Sequence, residues 1–281
     1  MSGIDLLPLL HVLLATTVLM AIGWEIQRRT RNAGIVDAIW AASMGGAALY
    51  YASVGEGCNL PRLLVAMLGG IWAARLSLFL LHRVLHESED GRYAFLRQHW
   101  NDSQPKFFGF FMLQAGFTAL FSLPFLVAAS SHQGELDGWI LAGVLVWAGS
   151  LLGESIADRQ LSRFRADPGN RGKTCRVGLW RYSRHPNYFF EWLHWFGWVL
   201  ISAGSPWWWL ALLGPLLMGA SLVWITGIPF TEAQSLRSRG EDYRRYQQET
   251  SMFFPWFPRE RDSCFGFRDS PRGPAPPCLA P

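Results

Sequence analysis

A chain of 281 residues that is 50% hydrophobic, carries 15 tryptophans and 19 phenylalanines and is only 16% charged has the composition of a bilayer protein. Its formal charge of +4 does not point to nucleic acid, because every Lys and Arg except Arg62 and Arg75 falls in alternate connections between apolar runs. Four cysteines, Cys58, Cys175, Cys264 and Cys278, show neither metal-ligand nor disulfide spacing, so no metal is expected.

Apolar runs near the roughly 20 residues a spanning helix needs lie at about 6 to 24, 34 to 54, 62 to 82, 108 to 130, 138 to 156, 188 to 204 and 206 to 228. They predict an all-α polytopic membrane protein with about seven transmembrane helices. The first run lacks a preceding basic stretch and a small-residue cleavage site, so it reads as a retained helix. The cation-rich connections place the N-terminus outside and the C-terminus in the cytoplasm. Residues 1–258 form a single integral membrane domain. The proline-rich stretch 259–281 has no apolar period and is expected to be disordered, and its terminal Cys278-Leu-Ala-Pro281 matches a prenylation box only superficially.

Polar residues that a bilayer should exclude mark the candidate site. Asp37 lies about one turn inside the second helix, either snorkelling beside Arg31 or facing the bundle interior. Arg75 lies far from either end of the third helix, where it pairs with a carboxylate such as Asp37 or serves a polar cavity. The connection from His82 to Lys106 carries mixed charge and a turn at Asp90-Gly91, and can cap a cavity mouth. Trp139, Trp147 and Trp207 to Trp209 read as interfacial aromatics. The fifth helix ends with Glu154, Asp158 and Arg165 on one stripe, a set that suits ribose hydroxyls and phosphate or ordinary i, i+4 ion pairs. The turn from Asp167 to Lys173 is glycine-rich and cationic.

The densest polar stretch is Gly178-Leu-Trp-Arg-Tyr-Ser-Arg-His-Pro-Asn-Tyr-Phe-Phe-Glu191. Pro186 keeps His185 out of helical geometry and suits the first turn of a following helix. Asn187 and Glu191 are then i and i+4 on one face. A cationic loop feeding a helix N-terminus is a resting place for an anionic cofactor. Downstream, Thr231 to Tyr246 reads as an amphipathic interfacial helix.

This run, with Asp158 and Arg165 upstream and Glu232 to Tyr246 downstream, resembles the C-terminal half of the steroid 5-alpha-reductase family, in particular a bacterial branch of unknown function. The match is good over residues 150–258; in the first half it rests on the seven-span layout, Asn32 to Trp40 and Arg75. The resemblance implies a seven-helix enzyme, in a bacterial inner membrane, that uses NADPH in a cytoplasm-facing cavity. It would reduce a carbon-carbon double bond conjugated to a carbonyl in a lipid-like substrate. Asp158, Arg165 and Lys173 would meet the nucleotide, Asn187 and Glu191 the nicotinamide end, and Tyr182, Arg184, His185 and Tyr188 the phosphate and ribose path. Glu232 and Tyr243 would close over the cofactor. The family's carbonyl-polarising tyrosine corresponds to Trp72 here, so Asp37 and Arg75 are assigned that role beside Glu191.

The segment Arg184-His185-Pro186-x-Tyr188 also resembles isoprenylcysteine carboxyl methyltransferases, which bind S-adenosylmethionine. Those enzymes usually carry glycine where this chain has Phe190. The reductase is therefore the first expectation, the methyltransferase the second, and an inactive membrane scaffold the third.

Overall fold

The computed structural model describes residues 4–225 and 227–259, among which all regular structure is helical. Helix α1 (Leu7–Thr30) carries Pro8 in its first turn, where a missing N–H costs nothing. It stops where Arg31 enters the left-handed region at φ 59° and its N–H bonds the Gln27 carbonyl at 2.8 Å. Helices α2 (Ile35–Val54) and α3 (Asn59–His86) follow, α3 with a π-helical turn at Val65–Gly69. Small residues let these two approach closely: a Cβ added to Gly45 would lie 2.8 Å from that of Ala73, and one added to Gly69 would lie 2.7 Å from that of Ala48.

Helix α4 (Gly91–His99) is short and N-capped by Asp90, whose carboxylate accepts the Arg92 N–H at 2.9 Å. Arg97 ties it down through Glu89 at 2.8 Å and Gln27 at 3.2 Å, while Asp102 pairs with Arg31 at the end of α1. Helix α5 (Gln104–Ala129) packs along α1 and α2. Helix α6 (Gly138–Ala166), capped by Asp137, lies along α7 (Pro186–Ile201) in the most extensive interhelical contact of the fold.

The run after α7 is broken into a 3-10 turn (Trp208–Leu212), helix α8 (Leu213–Ala220) and a π turn (Ser221–Ile225). Helices α9 (Ile228–Arg239) and α10 (Glu241–Glu249) end the described chain. The expected single amphipathic segment from Thr231 to Tyr246 is thus two helices. Gly240, at φ 53° and ψ −121°, makes a corner that a side chain would oppose.

The core is aromatic. Trp72, Phe125, Trp195 and Trp198 are fully buried, with the Phe125 and Trp198 rings 4.6 Å apart, and the Tyr51 hydroxyl lies 2.9 Å from that of Ser122. Leu14, Val18, Leu78, Leu145 and Leu152 point outward instead, which is stable only where the surroundings are apolar too. Among the described residues, five helical runs are long and apolar enough to cross a membrane: α1, α3, α5, α6 and Trp208–Arg239. The other two expected spans are also helical, but α7 has only 16 residues against the roughly 20 a full crossing takes. Trp147 is a second correction. It is a core residue at 7% exposure rather than an interfacial one, because α6 turns it towards Gly197 of α7.

Candidate functional site

The loop before α7 behaves as its proline predicts. His185 takes the N-cap position with φ −137° and Pro186 opens the helix. Arg184 and His185 of this loop are engaged by the protein itself. Arg184 donates to Glu232 Oε1 at 2.7 Å and to the Gln247 and Thr250 carbonyls at 2.8 and 3.0 Å. His185 Nε2 lies 3.3 Å from the same Glu232 oxygen, and its ring stacks on Tyr188 with centroids 5.4 Å apart. Gln247 donates to Glu232 Oε2 at 2.8 Å, and the Tyr188 hydroxyl meets Thr231 at 3.2 Å. Glu232 is therefore the hub that fixes α9 and α10 against the start of α7. Burial holds the His185 imidazole below its ordinary range, although Glu232 pulls it upward.

One helical turn deeper, Asn187 donates to Asp158 Oδ1 at 3.1 Å, joining α7 to α6. Asn187 and Glu191 share one face of α7, as their spacing predicts, and both reach the same cavity, but they take different partners. Glu191 instead accepts from Trp72 Nε1 of α3 at 3.3 Å. Arg75, one turn beyond Trp72, pairs with Glu154 of α6. The expected partnership of Arg75 with Asp37 does not form. Asp37 takes the Tyr93 hydroxyl at 2.7 Å and Arg92 at 3.2 Å, because α4 folds back over the start of α2. Arg31, the other expected neighbour of Asp37, is held by Asp102.

These groups surround a cavity of about 960 Å³ between α2, α3, α6, α7 and α9. Asp37, Asp158, Arg165, Asn187, Glu191 and Tyr243 reach its wall, as do Arg184, His185 and Tyr188. Its inner wall is apolar, with Trp40, Leu76, Phe79, Leu80, Met218 and Leu222. Glu87, Asp90 and Arg92 roof it, as a capping loop would. The Asp90 carboxyl is raised by burial, but the guanidiniums of Arg92 and Arg83 outweigh that and leave it below the usual carboxylate range. A second hollow of about 500 Å³ adjoins the first through Arg165, Cys175 and Arg239, and holds Arg171 and Lys173. Arg75 and Glu232 stand behind the wall, bonded to residues on it. Tyr182 belongs to neither hollow: its ring meets Phe257 at 5.9 Å and its carbonyl accepts from the Trp256 N–H at 2.9 Å.

The balance of charge here is uneven. Arg159, Arg165, Arg171, Lys173 and Arg239 have no ion pair among the described residues. The Arg165 guanidinium is flanked by Arg239, and the Thr174 hydroxyl beside it is buried with no hydrogen-bond partner. Unpaired cations next to an orphaned hydroxyl make a ready site for an anionic group with several acceptor oxygens. Among the described residues no three His, Cys, Asp or Glu side chains gather as a metal site would require.

Sequence reasoning placed Glu154 on the stripe with Asp158 and Arg165 but did not foresee its pairing with Arg75; it placed Arg92 and Tyr93 only within a capping connection and passed over Arg239. For Glu154 a signal existed, since it shares a helical stripe with Asp158 and Arg165. For the others there was none, because their contacts join helices far apart in the chain.

The chain is similar to two Schizosaccharomyces pombe proteins. It is 24% identical to "Uncharacterized protein C594.04c" over 88% of this chain and 80% of that one, and 34% identical to "Uncharacterized protein C9.08c" over 27% and 33%. No solved structure matches it. The aligned stretch that carries the site lies within residues 23–250, which match the family described as "Protein of unknown function (DUF1295)", and the chain belongs to that family.

Proposed function

We propose that this protein is a membrane oxidoreductase that binds NADPH and reduces a carbon-carbon double bond conjugated to a carbonyl in a lipid-like substrate. The observation that carries the reading is the polarity of the joined hollows. Unpaired cations lie at one end, an Asp158–Asn187 shelf in the middle, and Glu191 beside an apolar wall at the other. A dinucleotide phosphate needs the first, its ribose and carboxamide the second, and a greasy acceptor the third. The family is steroid 5-alpha-reductase-like, which agrees with this division.

Arg165, Lys173 and Arg239 would hold the phosphates, with Thr174 donating its free hydroxyl. Asp158 would accept from the ribose, and Asn187, already oriented by Asp158, would meet the nicotinamide end. The cofactor's contribution is hydride. The chain contributes a fixed geometry for donor and acceptor and a dry wall around them. The Glu232 hub closes the cytoplasmic side, so Arg184 and His185 act as positioning residues more than as direct ligands. Seven spans, with the N-terminus outside and the site facing the cytoplasm, complete the reading.

The test is a binding titration of detergent-purified protein with NADPH, NADH and S-adenosylmethionine, repeated with Arg165→Ala and Asp158→Asn. Saturable NADPH binding that weakens about tenfold or more in Arg165→Ala is expected, the loss of one charge-assisted contact of roughly 1.5–3 kcal/mol. Binding of S-adenosylmethionine alone would replace this reading with the methyltransferase, and binding of none of the three would leave a scaffold.

A further inference from the structure

The first expectation for the group that polarises the substrate carbonyl does not survive the geometry. Asp37 already accepts from Tyr93 and Arg92, and Arg75 already pairs with Glu154. Trp72 and Arg75 are i and i+3 on α3, so their partners Glu191 and Glu154 meet the same face of that helix within one turn. Glu154 repels Glu191, and Arg75 attracts Glu154, Glu191 and Asp158 together. Two carboxylates thus press on one guanidinium, with Asp158 already satisfied by Asn187. The remaining titratable neighbour, His194 of α7, is stacked on Trp72 at 5.0 Å and accepts the Trp198 N–H at 3.2 Å. A second, unneutralised carboxylate among buried tryptophans is costly, and one bound proton removes the cost.

We infer that Glu154 and Glu191 share one proton across Arg75, and that Glu191 is the acid that protonates the substrate's carbonyl oxygen. This rests on the reductase reading. Both carboxyls reach the cavity wall, but Glu154 is held by the Arg75 guanidinium whereas Glu191 faces only indole N–H groups, that of Trp72 at 3.3 Å and that of Trp195. In the step, the Glu191 O–H bond breaks and a new O–H bond forms on the carbonyl oxygen. The electron pair of the double bond shifts toward that oxygen, and hydride arriving at the β-carbon supplies the two reducing electrons. The product is an enol that tautomerises to the saturated carbonyl compound. Both carboxylates are then ionised, and a proton from the cytoplasmic mouth of the cavity restores the pair. Glu154 is a positioning residue: it keeps Arg75 occupied, so that Glu191 holds the proton.

Infrared spectroscopy of the purified protein in nanodiscs tests this without any substrate. At neutral pH the wild type should show a carboxylic-acid C=O stretch that disappears in Glu191→Gln and also in Glu154→Gln, since either change leaves one carboxylate for one guanidinium. Trp72→Phe should keep the band and shift it by removing the hydrogen bond to the carboxyl, a change that also decides the matter if a glutamine variant does not fold. Absence of the band from the wild type, its persistence in both glutamine variants, or indifference to Trp72→Phe would overturn the shared proton. NADPH titration of the same samples separates the two ideas. Binding without the band sinks the acid alone, whereas the band without binding sinks the reductase.

Discussion

Glu232 carries more of the architecture than its place in an amphipathic segment suggests. One carboxylate receives Arg184, Gln247, the Tyr243 hydroxyl at 3.4 Å and the neighbouring His185. Both Arg184 and Glu232 are largely buried, at 10% and 15% side-chain exposure. Removing one member of such a pair strands the other, so Glu232→Ala is expected to cost about 3 kcal/mol, seen as a lower melting temperature in detergent. The same melts across pH report His185. Its folded value is depressed, so its contribution is fully present above the unfolded value of 6.5. It is lost as pH falls below that toward the folded value, and acidification should therefore destabilise the protein in this window. A flat profile over the same range would contradict the buried, neutral imidazole.

At the scale of elements, the α6–α7 contact aligns Asp158 with Asn187, and glycine makes it possible. A Cβ at Gly143 would lie 2.7 Å from both the Gly197 carbonyl oxygen and Ile201 Cγ1, and backbone cannot move aside as a flexible side chain can. Gly143→Leu should force the helices apart and shift the protein to aggregates on size exclusion. Gly149, on the same helix, faces open space. There Gly149→Ala should be neutral or stabilising by up to about 1 kcal/mol, and comparable damage from both changes would show that close helix approach is not the reason. The corner at Gly240 is the corresponding device between α9 and α10, and it swings Tyr243 and Tyr246 back over the cavity.

For the whole molecule, the proposed orientation rests on the distribution of charge. The unpaired cations around the joined hollows and the capping helix α4 lie on the side that the cation-rich connections assign to the cytoplasm. A reporter fused after Arg259 should therefore be active as a cytoplasmic fluorescent protein and inactive as an exported phosphatase. The opposite pattern would place the proposed cofactor site outside, where no NADPH is supplied, and the proposed reaction would fall with it.

Much of this was legible in the chain. Composition and apolar runs determined a helical membrane protein, because only helices satisfy their own backbone in lipid when no strand pattern is present. Pro186 determined where α7 begins, since its ring forbids helical geometry before it and tolerates it after. Helical periodicity put Glu154, Asp158 and Arg165 on one stripe. What the sequence by itself did not determine was which charge meets which. Asp37 turned to Arg92 rather than Arg75, Arg75 to Glu154, and Arg184 to Glu232. Periodicity fixes the face a residue occupies on its own helix. The rotation and crossing of the neighbouring helix decide which opposite charge arrives there, and only the tertiary packing sets those.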